Sequence, residues 1–152
     1  MIATPSSELI VQVVTSVFAT LLELDLSMAD EAGSPAGDRV TSTVHLDGDW
    51  NAAVLVECSC RQACQFTGKM LAMDPPENFN DDVRDVLGEI ANIIGGNIKS
   101  VISPKDSLSL PCVIHGSNFD VCVCGSEIHK RLGFEFEGGV FWITIMGKAL
   151  PA

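Results

Sequence analysis

The chain has 152 residues, of which 47% are hydrophobic, and a formal net charge of −11. This length suits one domain with a substantial core, so we expect residues 1–152 to form a single domain. The excess of acidic residues argues against nucleic acid and against an anionic membrane surface as partners, since both attract basic proteins.

No segment has the pattern of a membrane span. The most apolar stretch, residues 9–26, is interrupted by Gln12, Glu23 and Asp25. Residues 1–10 contain no lysine or arginine, which a signal peptide would carry at its start. We therefore expect a cytoplasmic protein with no membrane partner, in which cysteines remain reduced.

Six cysteines and three histidines are candidate ligands for a transition metal. The spacing Cys60-x₃-Cys64 is within the range of zinc sites, but no second pair with such a spacing follows. His45, His115 and His129 are scattered along the chain. We therefore predict no metal site and interpret the cysteines mainly as small buried residues.

The first half of the chain predicts one helix followed by two strands. A broadly apolar helix over residues 8–26, capped by Ser6 or Ser7, precedes a predicted loop over residues 29–37. Alternating residues predict strands over 39–47 and 50–58, joined at an Asp47-Gly48 turn.

The second half predicts two helices and then strands alone. A capping box at Ser59 and Gln62 opens a helix over residues 60–72. A longer helix follows over residues 80–103. The predicted strands cover residues 108–116, 118–124, 128–137 and 140–147, the last two joined at Gly138-Gly139. This order predicts an α+β, two-layer fold, with long helices packed on a mostly antiparallel sheet.

The helix over residues 80–103 separates its side chains cleanly into two sides. Asn78 or Asn80 can cap its start, and Pro104 ends it. At about 100° per residue, its larger apolar residues share one side that should face the core. These are Val83, Val86, Leu87, Ile90, Ile94, Ile98 and Val101. Opposite them lies a polar stripe formed by Asp85, Glu89, Asn92, Gly96 and Lys99.

Three glycines lie inside this helix, where each costs about 1 kcal/mol relative to alanine. Gly88, Gly95 and Gly96 fall on the polar stripe or beside it. Their missing side chains would let another surface approach closely. We therefore interpret Glu89 and Asn92 as groups presented to a docking partner. The alternative is an ordinary solvated helix face with incidental glycines.

The central helix and the strand after it resemble the CheC/CheX/FliY family of chemotaxis phosphatases. The residues that carry this resemblance are Asp85-x₃-Glu89-x₂-Asn92 and the downstream Pro111, within the runs LGEIAN and LSLP. The motif occurs once, as in CheX-type members, whereas CheC-type members carry two copies. The resemblance therefore implies a single CheX-like domain.

The resemblance implies that the chain dephosphorylates a CheY-like response regulator. Asn92 would orient the attacking water, Glu89 would engage the regulator's lysine, and Asp85 would contact the partner from the periphery. It implies no cofactor in this chain, Mg²⁺ in the regulator, and a homodimer formed through sheet edges. Further residues that would contact the partner are Gly88, Gly96, Lys99 and Pro111.

Two other functions fit the same residues. A non-catalytic adaptor could bind a response regulator through the same helix, although it would have no special need for a carboxamide at Asn92. A metal or redox protein built on the six cysteines is the more distant alternative.

Overall fold

The computed structural model describes residues 4–29, 33, 35, 37–137 and 139–148. Three helices span Ser7–Val17 (α1), Cys60–Leu71 (α2) and Asp81–Ile102 (α3), and a π-helical turn, Phe18–Leu22, continues α1. The strands are β1 (Ser27–Ala29), β2 (Arg39–Asp47), β3 (Ala52–Ser59), β4 (Ser107–Leu108), β5 (Cys112–Gly116), β6 (Ser126–Phe136) and β7 (Gly139–Lys148).

The seven strands of the described residues form one sheet in which all pairings are antiparallel. Their order is β1-β6-β7-β3-β2, and both β4 and β5 pair with the outer side of β2. The three helices pack on one face of this sheet, and α3 lies mainly against β2. The predicted α+β fold with a mostly antiparallel sheet is confirmed. No helix within the described ranges is both long and apolar enough to cross a membrane.

A polar side chain begins each helix, as the sequence predicts. The Ser6 and Ser59 hydroxyls each accept a hydrogen bond from a backbone N–H three residues later, at 3.1 Å. The side chain of Asn80 accepts from Val83 N at 3.0 Å, which identifies Asn80 as the cap of α3. Each cap satisfies one of the N–H groups that a helix start leaves without a partner.

The first helix is shorter than predicted. The chain leaves the π-helical turn at Glu23, whose φ is +56°. Residues 27–29, beyond this break, pair with β6 as a strand that the sequence did not indicate. Of the predicted loop over residues 29–37, residues 30–32, 34 and 36 lie outside the described residues, as does Gly138 of the predicted Gly138-Gly139 turn.

The predicted strand over residues 118–124 is wrong. β5 lies beside β2, whereas the next strand, β6, lies on the far side of β7 and β3. The connecting segment therefore has to cross the outer face of the sheet and cannot join its hydrogen-bond ladder. Val121 and Val123 pack there against a small apolar cluster formed by Ala53, Leu55 and Met146.

The connection from β2 to β3 is a four-residue loop, residues 48–51, which follows the last pair between the two strands, Leu46 with Ala52. Gly48 takes a φ of +146° near its start, which favours glycine. The carboxylate of Asp106 accepts hydrogen bonds from the N–H groups of Asp49 and Trp50, at 2.8 and 3.1 Å. These bonds tie the loop to the segment that follows α3.

Candidate functional site

The polar stripe of α3 lies on its exposed side. Asp85 and Glu89 are exposed, and Asn92 is half-buried. The opposite side of the helix is buried, as predicted, at Val83, Val86, Leu87, Ile90, Ile94 and Ile98. Val101 departs from that prediction because it is 61% exposed near the end of the helix. The packed side fixes α3 on the sheet, so Glu89 and Asn92 have a rigid base.

The prediction that the helix glycines make room for another protein is wrong for Gly88 and Gly95, both of which are buried. A Cβ at Gly88 would lie 3.1 Å from Cγ of Pro111. A Cβ at Gly95 would lie 2.6 Å from a methyl group of Val44 on β2. The close approach that these glycines permit is therefore made by the chain's own segments. Gly96 is half-buried, with Leu108 at ordinary contact distance from its Cβ position.

A bulge separates β4 from β5, which the sequence predicted as one strand. Residues 44 and 45 of β2 face residues 109–111, because Thr43 pairs with Cys112 and Leu46 pairs with Leu108. The segment between β4 and β5 thus has one residue more than the part of β2 that it faces. This residue is accommodated next to Pro111, which has no N–H to donate to the strand pairing. The Ser109 hydroxyl accepts a hydrogen bond from His45 N at 2.9 Å, so the bulge is held firmly on β2.

This bulge places an apolar group beside the polar stripe. Pro111 is exposed while it also contacts α3 at Gly88, the residue before Glu89. The neighbouring Leu110 is 89% exposed, the highest value among the exposed large apolar residues of the described chain. The sequence pattern predicted a role for Pro111 but not for Leu110. We define the α3 surface as Asp85, Glu89, Asn92, Leu110 and Pro111.

The side chain of Lys99 forms a contact within the chain, at the end of α3. Its ammonium group donates a hydrogen bond to the carbonyl oxygen of Pro104 at 2.7 Å. A cation near the last turn also interacts favourably with the helix dipole. Lys99 thus stabilises the helix end, and its contact with the partner stays a prediction.

The start of α3 is linked to β5 by stacked side chains. Arg84 donates to the carbonyl oxygen of Val113 at 3.2 Å, and its guanidinium lies 5.0 Å from the centre of the Phe79 ring. The other neighbour of Phe79 is the ring of His115, with centroids 4.3 Å apart and planes 14° from parallel.

His115 belongs to a second group of polar residues that sequence analysis did not bring together. Its Nε2 lies 2.9 and 3.0 Å from the two carboxylate oxygens of Asp38, and the thiol of Cys60 is nearby. The hydrogen bond with His115 holds the pKa of the Asp38 carboxyl below its usual value. Burial, assisted by Cys64 and Asp38, raises the pKa of the Cys60 thiol to about 12. The one feature of the sequence that indicated this group was the spacing Cys60-x₃-Cys64. Asp38 and His115 come close to each other only because β2 pairs with β5.

Solved structures of known proteins share this fold. The chain is similar to the chemotaxis protein CheX from Vibrio vulnificus, with a TM-score of 0.77 and 21% identity, covering 91% of this chain and 93% of that one. It is similar to CheX from Desulfovibrio desulfuricans, with a TM-score of 0.74, 20% identity and coverage of 91% and 96%. A complex of CheX with CheY, BeF3 and Mg²⁺ from Borrelia burgdorferi matches with a TM-score of 0.69, 18% identity and coverage of 93% and 97%.

These likenesses define a protein of the CheC/CheX-like fold class. The family described as "Chemotaxis phosphatase CheX" matches residues 40–135, a range that contains Glu89, Asn92 and Pro111. The chain belongs to the CheX family. No curated protein matches the chain at a significant level.

Proposed function

We propose that the chain hydrolyses the aspartyl phosphate of a CheY-like response regulator, docking through the α3 surface. The observation that carries this proposal is the presentation of Glu89 and Asn92, one helical turn apart, on the exposed side of a rigidly packed helix. Membership of the chemotaxis phosphatase CheX family supports it. The likeness to a CheX that was solved with CheY adds support for the partner.

In this proposal Asn92 orients the attacking water. A carboxamide carries both a hydrogen-bond donor and an acceptor, so one side chain can hold a water in line with the phosphorus. An acyl phosphate is already activated, so the phosphatase has to supply mainly positioning. The Mg²⁺ that neutralises the phosphoryl charge is expected in the regulator, and no cofactor is assigned to this chain.

Glu89 binds the regulator in this proposal. Response regulators carry a lysine beside the phosphorylated aspartate, and a carboxylate that pairs with it would align α3 with the phosphoryl group. Leu110 and Pro111 add apolar contact at the edge of the polar stripe, and Asp85 contacts the partner at the periphery. Together these residues would form a small docking surface. Its contribution to catalysis would be to position the attacking water relative to the phosphoryl group.

Replacing Glu89 by alanine should weaken binding to the regulator roughly tenfold or more, the order of one charge-assisted hydrogen bond. The rate constant of dephosphorylation at saturating protein should change much less. Titration against the regulator activated with beryllofluoride, together with saturation kinetics, separates the two effects. Glu8→Ala removes the same charge from α1 and serves as the control. A loss confined to the saturated rate would contradict a docking role for Glu89.

The test of the proposed function is the lifetime of the aspartyl phosphate on CheY-like regulators from the same organism. Substoichiometric amounts of the chain should shorten that lifetime over many turnovers. A chain that binds one of these regulators and leaves its lifetime unchanged would instead be an adaptor.

We further propose that two chains associate through the outer edge of β5. Among the described strands β5 pairs with β2 alone, so its other edge can accept a further strand, although Arg84 already donates to the carbonyl oxygen of Val113 there. Light scattering should give the mass of a homodimer at micromolar concentration. A monomer throughout that concentration range would contradict the association.

A further inference from the structure

Three potential metal ligands meet at the corner where β2 and α2 begin and β5 passes. One ligand atom from each of Asp38, Cys60 and His115 lies within 4.8 Å of the other two. We propose that this corner is a site for a divalent transition metal, most suitably Zn²⁺, bound by a carboxylate oxygen of Asp38, the sulfur of Cys60 and Nε2 of His115. This site is separate from the α3 surface and does not depend on the proposed phosphatase function.

Rigid parts of the fold hold the three residues together. The backbone N–H of Cys60 donates to the carbonyl oxygen of Asp38 at 2.9 Å, which joins the start of α2 to the start of β2. His115 pairs across the sheet with Val40, and Val40 lies two residues after Asp38 in the chain. The stacked Phe79 ring sets the plane of the imidazole. These backbone contacts hold the three side chains next to one another.

The distances fit a tetrahedral site. Zinc–ligand bonds of about 2.0–2.3 Å place neighbouring ligand atoms roughly 3.5 Å apart. His115 Nε2 and the nearer Asp38 oxygen are 2.9 Å apart, somewhat closer than that value, and no two of the three ligand atoms are more than 4.8 Å apart. A metal ion would replace the hydrogen bond between the imidazole and the carboxylate, and the Cys60 thiol would release its proton to solvent to bind as the thiolate.

The donor types favour a particular class of metal. One sulfur, one imidazole nitrogen and one carboxylate oxygen suit a borderline ion such as Zn²⁺, whereas Mg²⁺ and Ca²⁺ prefer oxygen ligands alone. Asp38 and Cys60 line a cleft of about 590 Å³ together with Cys64. Three protein ligands beside an open cleft leave a fourth position for water or another small ligand.

The simpler interpretation is an ion pair between Asp38 and His115 that happens to adjoin a cysteine. Both side chains are partly open to solvent, at 56% and 31% of their accessible surface, and such pairs contribute little. This interpretation predicts no metal uptake with defined stoichiometry, and it gives Cys60 no role. The two interpretations therefore differ in a measurement that does not require any activity.

The experiment titrates the full chain, stripped with a chelator and kept reduced with a non-thiol reductant, with Co²⁺ and then Zn²⁺. We expect one Co²⁺ per chain, with thiolate-to-cobalt charge-transfer absorption in the near ultraviolet, and its displacement by Zn²⁺. Bound Zn²⁺ should also raise Tm, because it binds the folded state. Absence of uptake at a one-to-one ratio would overturn the proposal.

Two ligand variants and one control make the assignment specific. Cys60→Ser should abolish the charge-transfer absorption, and Cys60→Ser and His115→Gln should each weaken Zn²⁺ binding roughly 100-fold or more. Cys112→Ser removes an exposed thiol three residues before His115 and should retain both signals. Uptake that persists in both ligand variants would reveal an adventitious ion at other thiols and overturn the proposal. Asn92→Ala should bind metal like the unmodified chain, which keeps this test independent of phosphatase activity.

Discussion

Replacing Asn92 by alanine is expected to lower the rate constant for dephosphorylation, at saturating protein, by about 100-fold. The reason is that, in the proposed mechanism, this chain contributes to catalysis by positioning the attacking water. Without the carboxamide the attacking water has no partner on α3, while the regulator still supplies its phosphoryl group and metal. Binding of the beryllofluoride-activated regulator should change by only a few-fold, since Glu89 and the apolar residues of the α3 surface remain.

The matched control for this substitution is Asn97→Ala. Asn97 is an exposed asparagine of the same helix, five residues further on, which places it about 140° around the helix axis. Asn97→Ala therefore removes a carboxamide from a side of the helix that does not belong to the α3 surface. Equal effects of the two substitutions would indicate that Asn92 has no special position relative to the phosphoryl group.

Replacing Gly95 by alanine is expected to lower the free energy of unfolding by up to about 2 kcal/mol, although alanine is the better helix former. An ideal Cβ at Gly95 lies 2.6 Å from a methyl group of Val44, which is fully buried and β-branched. Relief of this overlap requires a shift of α3 or β2, at a cost of about 1–3 kcal/mol. The gain in helix propensity, about 1 kcal/mol, offsets part of that cost.

The neighbouring Gly96 provides the control. Its Cβ position lies 3.8 Å from a methyl group of Leu108, which is an ordinary contact distance. Gly96→Ala should therefore leave stability unchanged or raise it by up to about 1 kcal/mol. Urea unfolding of both variants measures the difference. If the two substitutions stabilised the chain equally, α3 could not lie as close to β2 as the structure places it.

The sequence was sufficient where structure depends on local signals. The capping residues and the apolar periodicity of α3 predicted its limits within one residue at each end. The same periodicity placed Asp85, Glu89 and Asn92 together on the exposed side. The α+β fold class followed from the order of the elements, because strands grouped after helices do not build alternating parallel units.

The errors arose where distant parts of the chain meet. The glycines of α3 correctly indicated a close approach, but a sequence does not say which surface approaches, and Val44 and Pro111 of the same chain occupy that space. Residues 118–124 have the composition of a strand, yet the strand order obliges them to cross the sheet. The meeting of Asp38 with His115 depends on the pairing of β2 with β5, which no local spacing reveals.

The most direct test of the proposed function is the single-turnover decay of a phosphorylated CheY-like regulator at increasing concentrations of this chain. We predict a rate constant that rises and saturates with the unmodified chain. With Asn92→Ala it should stay close to the intrinsic value even when the complex is fully formed. If decay in the saturated complex with the unmodified chain were no faster than decay of the regulator alone, the α3 surface would be a binding surface without catalytic function.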